Sequence, residues 1–233
     1  MKLRYKFYVL GLVACLLPAV GAPLKPSLVD KFHKEASSIW LLEAEFVQTN
    51  INKAFGSRRS RRGSFHFLQP DSIQWEYKEE PFRRYVAEGK TLWVAEMDSK
   101  KKIRRVLKND QFNFSESQIS LLVHPDPKRM KKEFDVVKIN EKEKSFVLKP
   151  KNPVEGVSEL TLFVDPQNLG VPQKIVFLDE LKNQTEIVFG KTKFLLKNQF
   201  NKLSVLEKNK IKNNFSFTPP KGVEIVESHS EIK

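Results

Sequence analysis

The side chains best suited to chemistry are few. Four histidines (His33, His66, His124 and His229) and one cysteine, Cys15, are the near-neutral titrating groups and soft ligands of a 233-residue chain. No two histidines stand at metal-ligand spacing, none has a cysteine beside it, and no His-Glu-x-x-His sequence occurs. A single cysteine excludes an intramolecular disulfide and a cysteine-built zinc site. The chain also lacks a Gly-x-Ser-x-Gly elbow, a Walker loop and a Gly-x-Gly-x-x-Gly turn, and it holds only 9 glycines. The residues therefore point to a binding protein with no catalytic residue, no metal and no cofactor.

The charged residues offer a second kind of chemistry. Net charge is +13, concentrated in Arg58-Arg59-Ser60-Arg61-Arg62 and Lys100-Lys101-Lys102-Ile103-Arg104-Arg105. Two readings of these runs stay open. They are solvated turns and a charged strand edge that resists pairing. Alternatively, Arg58, Arg59, Arg61 and Arg62 dock the protein to an anionic membrane or an acidic partner. Nucleic acid is not the expected partner, because no stacking aromatics interleave with the basic residues.

These residues need elements to place them. Lys2, Arg4 and Lys6 precede an apolar run of about eleven residues, Phe7 to Leu17, and then small residues to Ala22, which is the pattern of a secretory signal peptide. The expected organisation is a signal peptide over 1–22 and one domain over 23–233. Leu12-Val13-Ala14-Cys15 also resembles a lipobox, so a lipid-bearing Cys15 remains an alternative. Ser27 and Asp30 read as a capping box opening an amphipathic helix over 27–40, with Phe32 and Ile39 on its apolar face. A second helical segment spans 115–123 and presents Ile119, Leu121 and Leu122. Lys197 to Asn214, rich in lysine and asparagine, reads as a surface loop or a poorly ordered excursion. Between these, apolar residues alternate with polar ones, most cleanly at Ile73, Trp75 and Tyr77. Short connections favour antiparallel strands over parallel ones.

Four stretches together resemble one family. They are Phe46-Val47-Gln48-Thr49, Phe65 to Tyr77 with Gln69-Pro70 and Trp75-Glu76-Tyr77, Glu88-Gly89-Lys90-Thr91-Leu92-Trp93, and Phe215-Ser216-Phe217-Thr218-Pro219-Pro220-Lys221-Gly222-Val223. In this order they resemble the LolA family of outer-membrane lipoprotein carriers. The resemblance implies a mainly β fold with lid helices: a strongly curved, incomplete antiparallel barrel of about eleven strands around a hydrophobic cavity. It implies a soluble periplasmic monomer that takes acylated lipoproteins from an inner-membrane ABC exporter and passes them to an outer-membrane acceptor. A lipidated acceptor of the same fold and a periplasmic lipid or lipoprotein sensor are the alternatives.

Under this resemblance Phe46, Phe65, Phe67, Ile73, Trp75, Leu92 and Val94 line the acyl-chain cavity, with Ile73 at its edge. Phe32, Ile39, Ile119, Leu121 and Leu122 belong to the lid. Family members carry an arginine just before the hairpin proline that ties the lid shut; Gln69 stands there in this chain, uncharged and with fewer donors. Exposing one acyl chain of roughly 15 methylenes costs about 12 kcal/mol at ~0.8 kcal/mol each. Reversible transfer then requires a lid that already buries much of the apolar face before cargo arrives.

Overall fold

The computed structural model describes residues 26–114, 117, 120–123, 125–152 and 156–227, with the side chains of Leu121 and Leu122 left out. The signal-peptide and Cys15 assignments, and lid residue Ile119, lie outside the described residues.

Ser27 opens helix α1 (Leu28–Ala36). Its hydroxyl accepts from Asp30 N, and the Asp30 carboxylate accepts from Ser27 N, both at 3.2 Å. The helix is shorter than the sequence reading expects. Ser37 and Ser38 turn their hydroxyls back onto the Lys34 and Glu35 carbonyls at 2.9 and 2.6 Å and close the last turn. Ile39, expected on the helix, is instead the first residue of a strand, where its branched side chain still enters the core.

The strands follow as β1 (Ile39–Asn52), β2 (Ser57–Leu68), β3 (Ser72–Tyr77), β4 (Arg83–Glu88), β5 (Thr91–Met97) and β6 (Ile103–Asn109). Two short helices, α2 (Ser120–Val123) and α3 (Pro127–Glu133), precede β7 (Phe134–Asn140), β8 (Ser145–Pro150), β9 (Glu159–Val164), β10 (Pro172–Leu178) and β11 (Gln184–Leu196). Helices α4 (Lys197–Lys202) and α5 (Val205–Asn213) and strand β12 (Glu224–Glu227) end the described chain.

All twelve strands join one curved, unclosed sheet in the order β12-β6-β5-β4-β3-β2-β1-β11-β10-β9-β8-β7. Every pair is antiparallel except β12 with β6, a parallel edge pair that the short connections did not predict. β1 is the spine, paired with β2 from Leu41↔Leu68 to Asn52↔Ser57 and with β11 on its other side. A register shift between Ala44 and Phe46 opposite Gly190 bends this spine. Gly63 lets β2 pass there, because a methyl group at that position would collide with the Phe46 ring and the Glu76 carbonyl.

The sheet has two dry regions. One face gathers the main core, closed over by α1, Val123 and Met130. The opposite face carries a smaller cluster of Leu41, Leu68, Phe200 and Phe215 with Trp40, Leu195, Leu203 and Ile211. That cluster explains why 197–214 is helical rather than a loop. Phe200 anchors α4 against Trp40 at 5.9 Å between ring centroids, and a Ser204–Glu207 capping box starts α5. Strand β4 opens with two arginines whose charges are paired across the sheet. Arg83 meets Glu96 at 2.8 Å and Arg84 meets Glu76 at 2.9 Å across strands. Helix α3 starts directly after the short helix α2: Asp126 caps it and Pro127 fills its first turn.

Candidate functional site

Strand periodicity puts alternate side chains of β1, β2, β3 and β5 on one face. Phe46, Phe65, Phe67, Ile73, Trp75, Leu92 and Val94 all enter the single inner cluster. Their rings form a continuous aromatic layer. Phe46 and Trp75 are 4.1 Å apart by centroid, Phe65 and Trp75 5.3 Å, and Phe65 reaches Phe189 at 6.1 Å. Tyr77 extends the layer edge-on to Phe46 at 5.5 Å and donates its hydroxyl to Gln48 Oε1 at 2.6 Å.

The other half of the sheet supplies Phe146, Leu148, Leu160, Leu162, Ile175 and Ile187 to the same face. None was among the candidates, although the alternation of Leu160, Leu162 and Val164 carries the same signal. Ile73 is 2% exposed, enclosed in the cluster rather than at an edge.

Helix α1 covers this face. Phe32 is fully enclosed (0% exposed) and meets Phe146 at 5.5 Å. Phe114 lies flat on Phe67, 5.6 Å away at an interplanar angle of 17°. Two open grooves flank the covered face. One, of about 590 Å³, includes Phe163, Val171, Phe189 and Phe194 with Lys174 and Lys191. The other, of about 520 Å³, lies beside Asp71, Lys90, Phe112 and Phe114. None of the seven candidate cavity residues borders either groove.

Polar ties hold the cover in place. The Gln69 amide Nε2 donates to the Ser37 carbonyl at 3.1 Å and to the Ile39 carbonyl at 2.6 Å, so it grips the chain where α1 leaves for β1. Arg129 on α3 donates to Ser120 Oγ at 2.7 Å and the Ser117 carbonyl at 3.2 Å, and its Nε reaches Glu133 at 2.9 Å. His33 on α1 is buried, and its Nδ1 meets no hydrogen-bond partner among the described residues. The described residues bring no three His, Cys, Asp or Glu side chains together as a metal site.

His33 gives this cover a pH dependence of known sign. It is 7% exposed, and burial pushes its imidazole below the ordinary range; Lys131 adds to this, while the Pro125 carbonyl, Asp30 and Asp126 act against it. A base whose folded pKa is depressed binds protons more readily when unfolded. Stability is then complete above the ordinary imidazole pKa and declines as pH falls through it. Asp30, held low by its Ser27 hydrogen bonds, stays ionised throughout this window. The melting temperature should fall from about pH 7.5 to about pH 5.5. His33→Gln should flatten that fall; an unchanged slope in melts at both pH values would exclude His33 as its source.

The basic run divides into engaged and exposed arginines. Arg61 stacks over the Tyr77 ring at 4.2 Å, and Arg62 approaches Glu79 at 4.0 Å. Arg58 and Arg59 are exposed on the distal part of β2.

The family described as "Outer membrane lipoprotein carrier protein LolA" matches residues 37–201. An "Outer-membrane lipoprotein carrier protein" of Nitrosomonas europaea is 25% identical over 224 residues, 94% of this chain and 97% of the relative. A protein of the same description from Chromobacterium violaceum is 32% identical over 85 residues, 36% of this chain and 40% of its own length. Among solved structures, an uncharacterized conserved protein from Thermus thermophilus superposes with a TM-score of 0.49 at 14% identity, covering 86% of this chain and 97% of that one.

Proposed function

The chain belongs to the LolA family of outer-membrane lipoprotein carrier proteins, and from that premise we propose that it carries lipoproteins through the periplasm with their acyl chains on the inner face of the sheet. The observation that carries this reading is the seat of α1. An apolar layer from both halves of the sheet is covered by a helix whose Phe32 is fully enclosed against it.

The physical chemistry favours exchange over storage. An exposed acyl chain costs about 12 kcal/mol for roughly 15 methylenes. Lifting α1 exposes Leu28, Val29, Phe32 and Ala36 and the rings beneath them, and that cost offsets much of the gain from taking up the chain. Net affinity is the difference between the two, small enough for hand-over. Gln69 contributes to this balance. Two neutral hydrogen bonds at about 0.5–1.5 kcal/mol each restrain the α1 exit. An arginine there would add charge-assisted donors and a firmer latch. The role is binding and hand-over without turnover: an inner-membrane ABC exporter loads the protein and an outer-membrane acceptor empties it. Among the described residues no helix is long and apolar enough to cross a membrane.

A release assay tests the role. Purified protein added to spheroplasts making a tagged outer-membrane lipoprotein should bring that lipoprotein into the supernatant as a one-to-one complex, and only while the cells hold ATP. If the lipoprotein stays with the spheroplasts while the protein still binds a hydrophobic dye, the carrier role fails and a lipid-binding or sensing role replaces it.

A further inference from the structure

We propose that two neighbouring hairpin tips form a docking point for anionic lipid bilayers, in which Phe55 and Leu181 enter the interface between flanking basic side chains. The proposal does not depend on the carrier reading.

The two tips belong to the β1–β2 and β10–β11 hairpins. Sheet topology makes them neighbours, because β1 pairs with β11 and Ile51 stands level with Gln184. A hydrogen bond from Lys53 N to Asn183 Oδ1 at 2.9 Å joins one tip to the other, across 130 residues of sequence. Each tip presents one large apolar side chain to solvent: Phe55 is 84% exposed and Leu181 is 78% exposed. A lone exposed leucine is ordinary. Two large apolar residues at the ends of tied, adjacent hairpins form a small bipartite point.

Neither tip is loosely held. Phe55 N donates to Asn52 Oδ1 at 3.0 Å, and Gly56 takes the left-handed φ of +60° that the turn requires. The Asp179 carboxylate accepts from Asn183 N and from Asn183 Nδ2, each at 2.8 Å. The apolar residues are therefore presented in ordered loops, and little ordering entropy remains to be lost on docking.

The charges around the tips choose the occupant. Lys53, Arg58, Arg59 and Lys182 are exposed beside Phe55 and Leu181. Arg58 and Arg59 form no ion pair among the described residues, whereas Arg61 and Arg62 further down β2 are engaged with Tyr77 and Glu79. Against these four positive charges stand two negative ones, Glu180 and Asp179, the latter also accepting from Asn183. Basic residues surrounding exposed apolar tips match a surface with anionic headgroups above an apolar interior. An acidic protein surface would use the charges but would leave Phe55 and Leu181 without a stated pocket.

Vesicle sedimentation separates the cases. The probe is phosphatidylcholine with about 30% phosphatidylglycerol, set against pure phosphatidylcholine, at about 0.1 M and about 0.5 M salt. The native protein should prefer anionic vesicles and lose most binding at the higher salt. Phe55→Ser with Leu181→Ser should raise the dissociation constant about tenfold at unchanged charge. Arg58→Ser with Arg59→Ser should raise it by a similar factor. Lys210→Ser with Lys212→Ser on α5 removes the same charge elsewhere and should change it less than about twofold. All substituted residues lie on the surface, so unchanged melting curves verify folding. Native-like binding by the Phe55/Leu181 variant, or an equal loss in the α5 variant, would reduce the effect to overall charge and overturn the proposal. Failure to bind either vesicle would overturn it too and assign the tips to an acidic protein partner.

Discussion

Truncating Phe32 to alanine is expected to lower stability by about 3–5 kcal/mol and, at the same time, to tighten binding of an acyl chain. The first effect follows from packing: Phe32 is fully enclosed, and its ring rests against Phe146. The second follows only if α1 and cargo compete for one place. Without the ring, the closed state buries less apolar area, so opening costs less, and the void accepts methylenes. Melts with and without a long-chain fatty acid would read both effects. Ligand at about 100 times its dissociation constant adds roughly 2.7 kcal/mol, so the variant should recover much of its lost melting temperature on saturation. The native protein should gain less at the same concentration. A variant that melts early and gains nothing from fatty acid would make Phe32 plain core and detach α1 from any lid role.

Gly170→Ala is expected to unseat the same helix from its other side. A methyl group at residue 170 would collide with the backbone of Glu35 and Ala36, in the last turn of α1. No side-chain rotation relieves a clash with backbone, so the helix end or the β9–β10 turn has to move. Overpacking of this kind costs roughly 1–3 kcal/mol. The displacement also lifts the turn that carries Phe32 away from Phe146. The expected readout is a several-fold rise in binding of an environment-sensitive hydrophobic dye by the cargo-free protein, with a lower melting temperature. Gly190→Ala is the control, since its methyl group would meet nothing nearer than the Glu45 carbonyl oxygen at 3.6 Å. Equal dye binding by the two variants would show that α1 is not displaced by crowding at residue 170.

These two variants act on α1 from positions far apart in the chain, and only one of them was visible beforehand. Phe32 stands out in an amphipathic pattern with a capping box. Gly170 has no local signature: its constraint is the approach of a helix end that folds against it. The same division runs through the site. The seven aromatic and branched residues expected on one face do share it, because side-chain direction along a strand alternates by local geometry and needs no knowledge of partners. The family resemblance implies a latch residue at Gln69, before the hairpin proline, but its acceptors, the Ser37 and Ile39 carbonyls, are a product of the turn that ends α1.

Where the reading went astray, local pattern and long-range contact disagreed. Residues 197–214 look polar enough for a loop, yet Phe200 finds Trp40 on the outer face and the segment becomes two helices. Ile39 continues a helical period but is drawn into β1, which pairs on both sides. The amino-acid sequence alone carried the class of structure and the family resemblance, which rest on periodicity and short motifs. Tertiary structure decided that Phe32 sits under the cover rather than on a free helix, that Arg61 is spoken for while Arg58 is not, and that Phe55 and Leu181 stand on adjoining hairpin tips. Those are matters of which distant segments become neighbours, and that follows from closing the whole sheet around one core rather than from any window of residues along the chain.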